Sequence, residues 1–139
     1  ALKLVTEPVL EYNIFYNTPD LAGKLVCRLG RQPYLIQLTM SELTELLNHK
    51  NSRIATQEDI DTAVREMFIA AGGHFRFFWD TELNRDEREI VSAFAHGKKL
   101  PEIPGIVLKS LVRKEVLYKD NDDYIFCIPA VKEWIVENI

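Results

Sequence analysis

The stretch Leu29-Gly30-Arg31-Gln32-Pro33-Tyr34-Leu35-Ile36-Gln37 decides the fold of the first half of the chain. Gly30 is suited to close a helix in the left-handed conformation, and Pro33 is suited to the first turn of the next helix, where its missing amide costs nothing. The stretch therefore predicts a sharp corner between two helices. Apolar residues recur at helical spacing on both sides, namely Leu21, Ala22, Leu25, Val26 and Leu29 before it and Ile36, Met40, Leu43 and Leu47 after it. We expect these two helices to pack face to face.

Length and composition limit the class of protein. The chain has 139 residues, 47% of them hydrophobic, which suits one ordinary domain or two very small ones with a real core. Its formal net charge of −4 lacks the basic excess that non-specific nucleic-acid binding requires. No apolar run has the length of a membrane span, and no signal sequence opens the chain. We expect a cytoplasmic protein with no membrane partner and, because the chain opens on Ala1 without a methionine, a piece of a longer protein.

The sequence carries no motif for catalysis or metal binding. Cys27 and Cys127 lie far apart and form no CxxC pair, which argues against a zinc site or a disulfide framework. No two of the three histidines share a helical face, and we expect them at the surface or at helix ends. The Gly-x-x-x-x-Gly-Lys-Ser/Thr loop of P-loop enzymes is absent. The residues therefore predict no catalytic group, no metal ligand and no cofactor in this chain.

The first half, residues 1–71, is predicted to be a small helical bundle. Thr18 is a favourable N-cap, so the first helix should start there and run to Leu29. The second helix should cover about residues 33–49. The third should begin at Thr56, because Asp59 three residues later completes a capping box. Three helices with short connections form a bundle of this kind.

The second half, residues 72–139, is predicted to be a separate winged-helix domain. Gly72-Gly73 is the strongest break in the chain and marks the expected boundary. Beyond it, Phe75, Phe78 and Trp79 form an apolar segment that we expect at an interface between the two halves. Asn84 then caps a helix, with Glu87 three residues later. A further helix and a final one flank two β-rich runs, residues 115–119 and 124–128, which surround a predicted four-residue turn at 120–123.

Four short motifs carry a family resemblance. They are Leu4-Val5-Thr6-Glu7-Pro8, the Thr18-Pro19-Asp20 helix start, the corner from Gly30 to Gln37, and Thr56-Gln57-Glu58-Asp59-Ile60. Together they resemble the helical lid of AAA+ and STAND nucleotide triphosphatases, and the rest of the chain looks like the winged helix that often follows such a lid. In those families a Gly-x-Pro or Gly-Gly-x-Pro-Tyr turn brings the lid against the bound nucleotide. Arg31 stands here where the second glycine is usual.

The resemblance implies a regulatory rather than a catalytic role. The lid would respond to ATP or ADP with magnesium, bound in the full-length protein by a domain upstream of Ala1, and the winged helix would contact that domain or a protein partner. Candidate nucleotide contacts are Gly30, Arg31, Pro33 and Arg28, because a guanidinium group at the corner can neutralise a phosphate. By this interpretation the chain does not hydrolyse ATP by itself.

The alternative is a winged-helix DNA-binding module, as in origin-recognition relatives of the same superfamily. Its candidate DNA contacts are Lys109, Arg113, Lys114 and Lys119. The tip of the expected wing is acidic, however, and its carboxylates would repel a polyanion over the roughly 8 Å screening length of physiological salt. The charge pattern therefore favours a protein partner, and steep salt dependence of binding would identify DNA.

Overall fold

The computed structural model describes residues 15–139, and the predicted motif at Leu4–Pro8 lies outside them. The described chain is mainly helical, with seven α-helices and two small two-stranded sheets. The expectation of a mainly helical chain with a hairpin near its end is confirmed. Contacts divide the chain into two compact units, and the division falls between Gly72 and Gly73 along the sequence.

The first unit is built from three helices and one short parallel sheet. Phe15 pairs with Ile54 and Tyr16 with Ala55 in that sheet. The capping box predicted at the third helix is present, since the Thr56 side chain accepts from the Asp59 amide. The elements are β1 (Phe15–Tyr16), α1 (Leu21–Arg28), α2 (Pro33–His49), β2 (Ile54–Ala55) and α3 (Gln57–Ala70).

The predicted apolar stripes of the first unit are confirmed as its core. All of their members are buried: Leu21, Ala22, Leu25, Val26 and Leu29 of α1 and its C-cap, with Ile36, Met40, Leu43 and Leu47 of α2. The predicted start of α1 at Thr18 is wrong. The carbonyl of Thr18 accepts from the Leu21 amide in a turn, and helical bonding begins only with the Lys24 amide and the Asp20 carbonyl, 3.0 Å apart. The N-cap is therefore Asp20 rather than Thr18, and the helix starts two residues later than predicted.

The second unit contains a compact aromatic core. The rings of Phe75 and Trp134 stack with centroids 5.6 Å apart, and the Arg76 guanidinium lies 5.2 Å from the Trp134 ring centroid. A π-helical turn, Phe78–Glu82, follows the helix that carries Phe75. The elements are α4 (Gly72–Phe77), α5 (Arg85–Ala95), α6 (Gly105–Arg113), β3 (Leu117–Asp120), β4 (Asp123–Phe126) and α7 (Pro129–Asn138).

Gly72 and Gly73 adopt helical backbone at the start of α4, after α3 ends at Ala70, and the division between the two units falls between these glycines. One local expectation for the second unit is wrong. The hairpin turn has two residues rather than four, since β3 and β4 extend until Asp120 pairs with Asp123. Asn121, with φ of 56°, begins this short turn, and asparagine tolerates the left-handed region that tight hairpin turns require.

Candidate functional site

The helix corner at Gly30 is closed by a Schellman motif. Gly30 has φ of 63°, and its amide donates to the carbonyl of Cys27 over 3.0 Å. The amide of Arg31 donates to the carbonyl of Val26, also over 3.0 Å. These two bonds satisfy the carbonyls of Val26 and Cys27 in the last turn of α1, and the C-cap Leu29 is fully buried. The backbone of the corner predicted from the sequence is confirmed, but α2 packs mainly on α3, and the expected face-to-face packing of α1 on α2 is not observed.

Arg31 departs from ordinary backbone geometry at this corner. Its φ is 58°, so it is the second consecutive left-handed residue, and such a conformation costs a non-glycine residue about 1–2 kcal/mol. Pro33 then opens α2 at its first position. The Arg31 side chain is exposed, with Nη2 3.9 Å from the Cys27 Sγ. The two left-handed residues thus hold a guanidinium group at the surface of the corner.

Arg28, the other candidate arginine, has a structural role. Its Nη1 donates to Asp61 Oδ1 over 2.7 Å and ties α1 to α3. Gln57 Nε2 donates to the same oxygen over 2.9 Å. Burial opposes ionisation of Asp61, but these hydrogen bonds outweigh it and hold the pKa of Asp61 below its ordinary value. The structure therefore brings Gly30, Arg31 and Pro33 together at the corner, while the Arg28 guanidinium group binds the partly exposed carboxylate of Asp61.

The candidate DNA contacts of the second unit fall into two groups. Lys109 and Arg113 lie one turn apart on the exposed side of α6, and Lys119 is exposed on β3. Lys114 Nζ instead lies 2.7 Å from Glu87 Oε1 and donates to the carbonyl of Glu82 over 2.8 Å. The ammonium group of Lys114 is therefore bonded within the unit.

Glu87 is the most deeply buried charged group among the residues described, with no exposed surface. Besides Lys114, the Asn84 amide donates to its Oε1 over 2.9 Å, and Ser110 Oγ donates to its Oε2 over 2.8 Å. Burial opposes ionisation, yet these hydrogen bonds hold the pKa of Glu87 below its ordinary value of 4.5. A carboxylate so fully bonded supports structure rather than proton transfer. Sequence reasoning found the Asn84–Glu87 capping box, which is confirmed, but missed its tertiary partners.

An acidic groove of about 270 Å³ lies between α2 and α3. Sequence reasoning missed it, although Glu42 and Glu45 share the outer face of a helical period. Within residues 15–139, no cluster of three histidine, cysteine or acidic side chains is arranged to hold a metal ion. The groove is lined by Glu42, Glu45, Leu46, His49, Ala63 and Glu66, together with one threonine.

Comparisons with protein-family models, with curated proteins and with solved structures return no match. Among the helices described, none is long and apolar enough to cross a membrane. Cys27 and Cys127 are both free thiols.

Proposed function

We propose that this chain is the helical lid and winged helix of a STAND- or AAA+-type ATPase. In this role it carries no catalysis of its own. It transmits the nucleotide state of a separate ATP- or ADP-binding domain to contacts with that domain or with a protein partner. The observation that carries the proposal is the corner, where Gly30 and Arg31 are both left-handed and Pro33, two residues after Arg31, opens α2.

The geometry of the corner suits a nucleotide sensor. A lid needs a rigid element that makes different contacts in the ATP and ADP states. The Schellman bonds hold the Arg31 backbone, and its guanidinium group is solvent-accessible for a phosphate on a neighbouring domain. The helix, helix, hairpin and helix order of α5 to α7 supports the winged-helix interpretation of the second unit.

The test replaces Arg31 in the longest natural protein that contains this sequence. Arg31→Gly removes the guanidinium group and relieves the strain at φ of 58°, so the corner should keep its fold. A charge-assisted hydrogen bond is worth about 1.5–3 kcal/mol, so we expect ATP affinity to fall roughly tenfold to hundredfold. Titration with a fluorescent ATP analogue measures the change, and turnover is measured in parallel.

The matched control is Arg65→Ala, because Arg65 is an exposed arginine of α3 bonded only locally to Thr62 among the described contacts. It should leave nucleotide affinity unchanged. Equal affinities for the wild type and Arg31→Gly would refute the role proposed for Arg31. Absence of nucleotide binding in the whole natural protein would refute the ATPase proposal itself.

DNA binding is the second candidate function, favoured by the exposed pair Lys109 and Arg113 on α6. Two features weigh against it, because Lys114 is engaged with Glu87 and the hairpin ends in paired aspartates. Fluorescence anisotropy of labelled duplex DNA, at low and physiological salt, tests it directly. Binding that weakens steeply with salt and is lost in Lys109→Ala/Arg113→Ala would establish the DNA-binding function.

A further inference from the structure

The exposed side of α6 combines apolar and basic residues. Ile106, Lys109, Val112 and Arg113 fall within an arc of about 120° at the helical period, whereas Leu111 on the opposite side is buried. Ile106 is 77% exposed, more than any other large hydrophobic side chain described. We refer to Ile106, Lys109 and Arg113 as the basic stripe. Nothing within the second unit covers this stripe.

The acidic groove of the first unit has the complementary character. Its three carboxylates, on Glu42, Glu45 and Glu66, take part in none of the salt bridges described, and the half-buried Leu46 adds apolar surface. Its volume of about 270 Å³ is below the range of about 300–1,000 Å³ for pockets that enclose a small ligand. An open groove of this size suits protruding side chains of another protein surface.

We propose that the basic stripe of one copy of this chain docks into the acidic groove of a second copy. Ile106 would enter the groove, and Lys109 and Arg113 would meet its carboxylates. Charge complementarity of this kind selects the partner and the orientation. Because the stripe and the groove are different surfaces, each added copy leaves one of each free, and the assembly can grow head to tail. The inference goes beyond the proposed function and does not depend on nucleotide binding.

Sedimentation equilibrium of the 139-residue chain tests the proposal. The contact is small and depends on exposed charges, so we expect weak association that salt suppresses. At about 50 mM salt the average mass should rise above the 16.1 kDa of one chain as the protein is concentrated, and at about 500 mM salt the rise should disappear. A mass of one chain at every concentration and at low salt would overturn the proposal.

Two variants identify the surfaces. Lys109→Ala/Arg113→Ala removes the charges of the stripe, and Glu42→Gln/Glu45→Gln removes two charges of the groove. Each variant alone should lose association, by about tenfold or more in dissociation constant. An equimolar mixture still pairs one intact stripe with one intact groove, so it should form complexes of two copies and nothing larger. Failure of the mixture to associate would overturn the proposal.

The controls remove the same number of charges elsewhere. Arg85→Ala/Lys132→Ala and Glu89→Gln/Glu137→Gln change exposed residues outside both surfaces and should associate like the wild type. Equal losses in these controls would mean that net charge rather than a docking surface governs association. Circular dichroism spectra and melting curves matching the wild type show that each variant is folded.

Discussion

The two capping-box carboxylates, Asp59 in the first unit and Glu87 in the second, share one local design. Each stands at the third position of its helix and accepts a hydrogen bond from the N-cap backbone amide. Each also binds a lysine that is the C-cap of another helix, Lys50 after α2 for Asp59 and Lys114 after α6 for Glu87. The motif therefore links helix ends in both units.

The two carboxylates differ in what surrounds the lysine. Lys50 lies nine residues before Asp59, and its side chain is 51% exposed. Lys114 lies 27 residues after Glu87 and bonds the Glu82 carbonyl as well, while Ser110 occupies the second oxygen of Glu87. The first pair therefore closes a local loop, and the second holds α5 to α6, where Glu87 is fully buried and the Lys114 side chain is 39% exposed. We therefore expect the same sequence motif to differ in energetic weight between the two units.

The largest expected effect follows from breaking the Glu87–Lys114 pair. Lys114→Met should lower the free energy of unfolding by about 3–5 kcal/mol, because it leaves the Glu87 charge buried without its cation. Urea unfolding followed by tryptophan fluorescence reports on this unit, since both tryptophans, Trp79 and Trp134, belong to it.

Glu87→Gln/Lys114→Met supplies the control for coupling. It removes both charges and should be less destabilised than the sum of the single variants, by about 1 kcal/mol or more. If the stability losses of the two single variants simply add up to that of the double variant, Glu87 and Lys114 are not coupled as an ion pair.

Breaking the Asp59–Lys50 pair should lower the free energy of unfolding by less. Asp59→Ala removes the capping box of α3 and should lower stability by about 1–2 kcal/mol, because Lys50 can return its charge to water. Thermal unfolding by far-ultraviolet circular dichroism measures the change. Glu58→Ala, at the exposed neighbouring position, should cost only about 0.3–0.5 kcal/mol. A larger loss for Asp59→Ala than for Lys114→Met would reverse the comparison.

The dependence of stability on acid pH should also reveal the Glu87–Lys114 pair. Because the pKa of Glu87 is lower in the folded state than its ordinary 4.5, its stabilising contribution is complete above that value and is lost as the pH falls toward the folded pKa. The loss approaches about 1.4 kcal/mol per pH unit for one carboxyl group. Urea midpoints measured between pH 6 and 3 should fall less in Glu87→Gln than in the wild type. Parallel curves would mean that other carboxylates account for acid sensitivity.

The smallest expected effect concerns the residue after each lysine. Asn51 and Glu115 both adopt left-handed backbone, with φ of 58° and 59°, and complete the Schellman motifs of α2 and α6. Asparagine tolerates this region better than glutamate. Glu115→Gly should therefore stabilise the protein by about 0.5 kcal/mol, and Asn51→Gly by less. Melting temperatures compare the two, and a loss of stability in Glu115→Gly would contradict the strain argument.

Much of the fold was predictable because its signals are local. The capping boxes at Thr56 and Asn84 and the corner at Gly30 each involve residues within a few positions of one another. The errors arose where a local signal allowed more than one structure. Thr18 has the right chemistry for an N-cap but forms a turn, and the residues expected to form a four-residue turn at 120–123 form a two-residue turn because Asp120 pairs with Asp123.

The candidate site was only partly predictable. The corner with its exposed Arg31 follows from Gly30 and Pro33, and its proposed contact with nucleotide stays a prediction. Arg28 and Lys114 carry the right charge for ligand contacts, but each had several acidic residues within possible reach. Their partners, Asp61 and Glu87, lie 33 and 27 residues away along the chain. No periodicity or spacing encodes such a pairing.

The sequence by itself determined the helical stripes, the helix caps and the left-handed corner, because backbone hydrogen bonding and helical periodicity act over four residues or fewer. Only the tertiary structure decided which charged side chains form ion pairs within a unit, as Arg28 and Lys114 do, and which stay exposed at the surface. Packing brings α5 against α6 and thereby buries Glu87 in an ion pair with the partly exposed Lys114, while Lys109 and Arg113 on α6 lie at the surface. Long side chains reach many partners in an unfolded chain, and folding selects one of them.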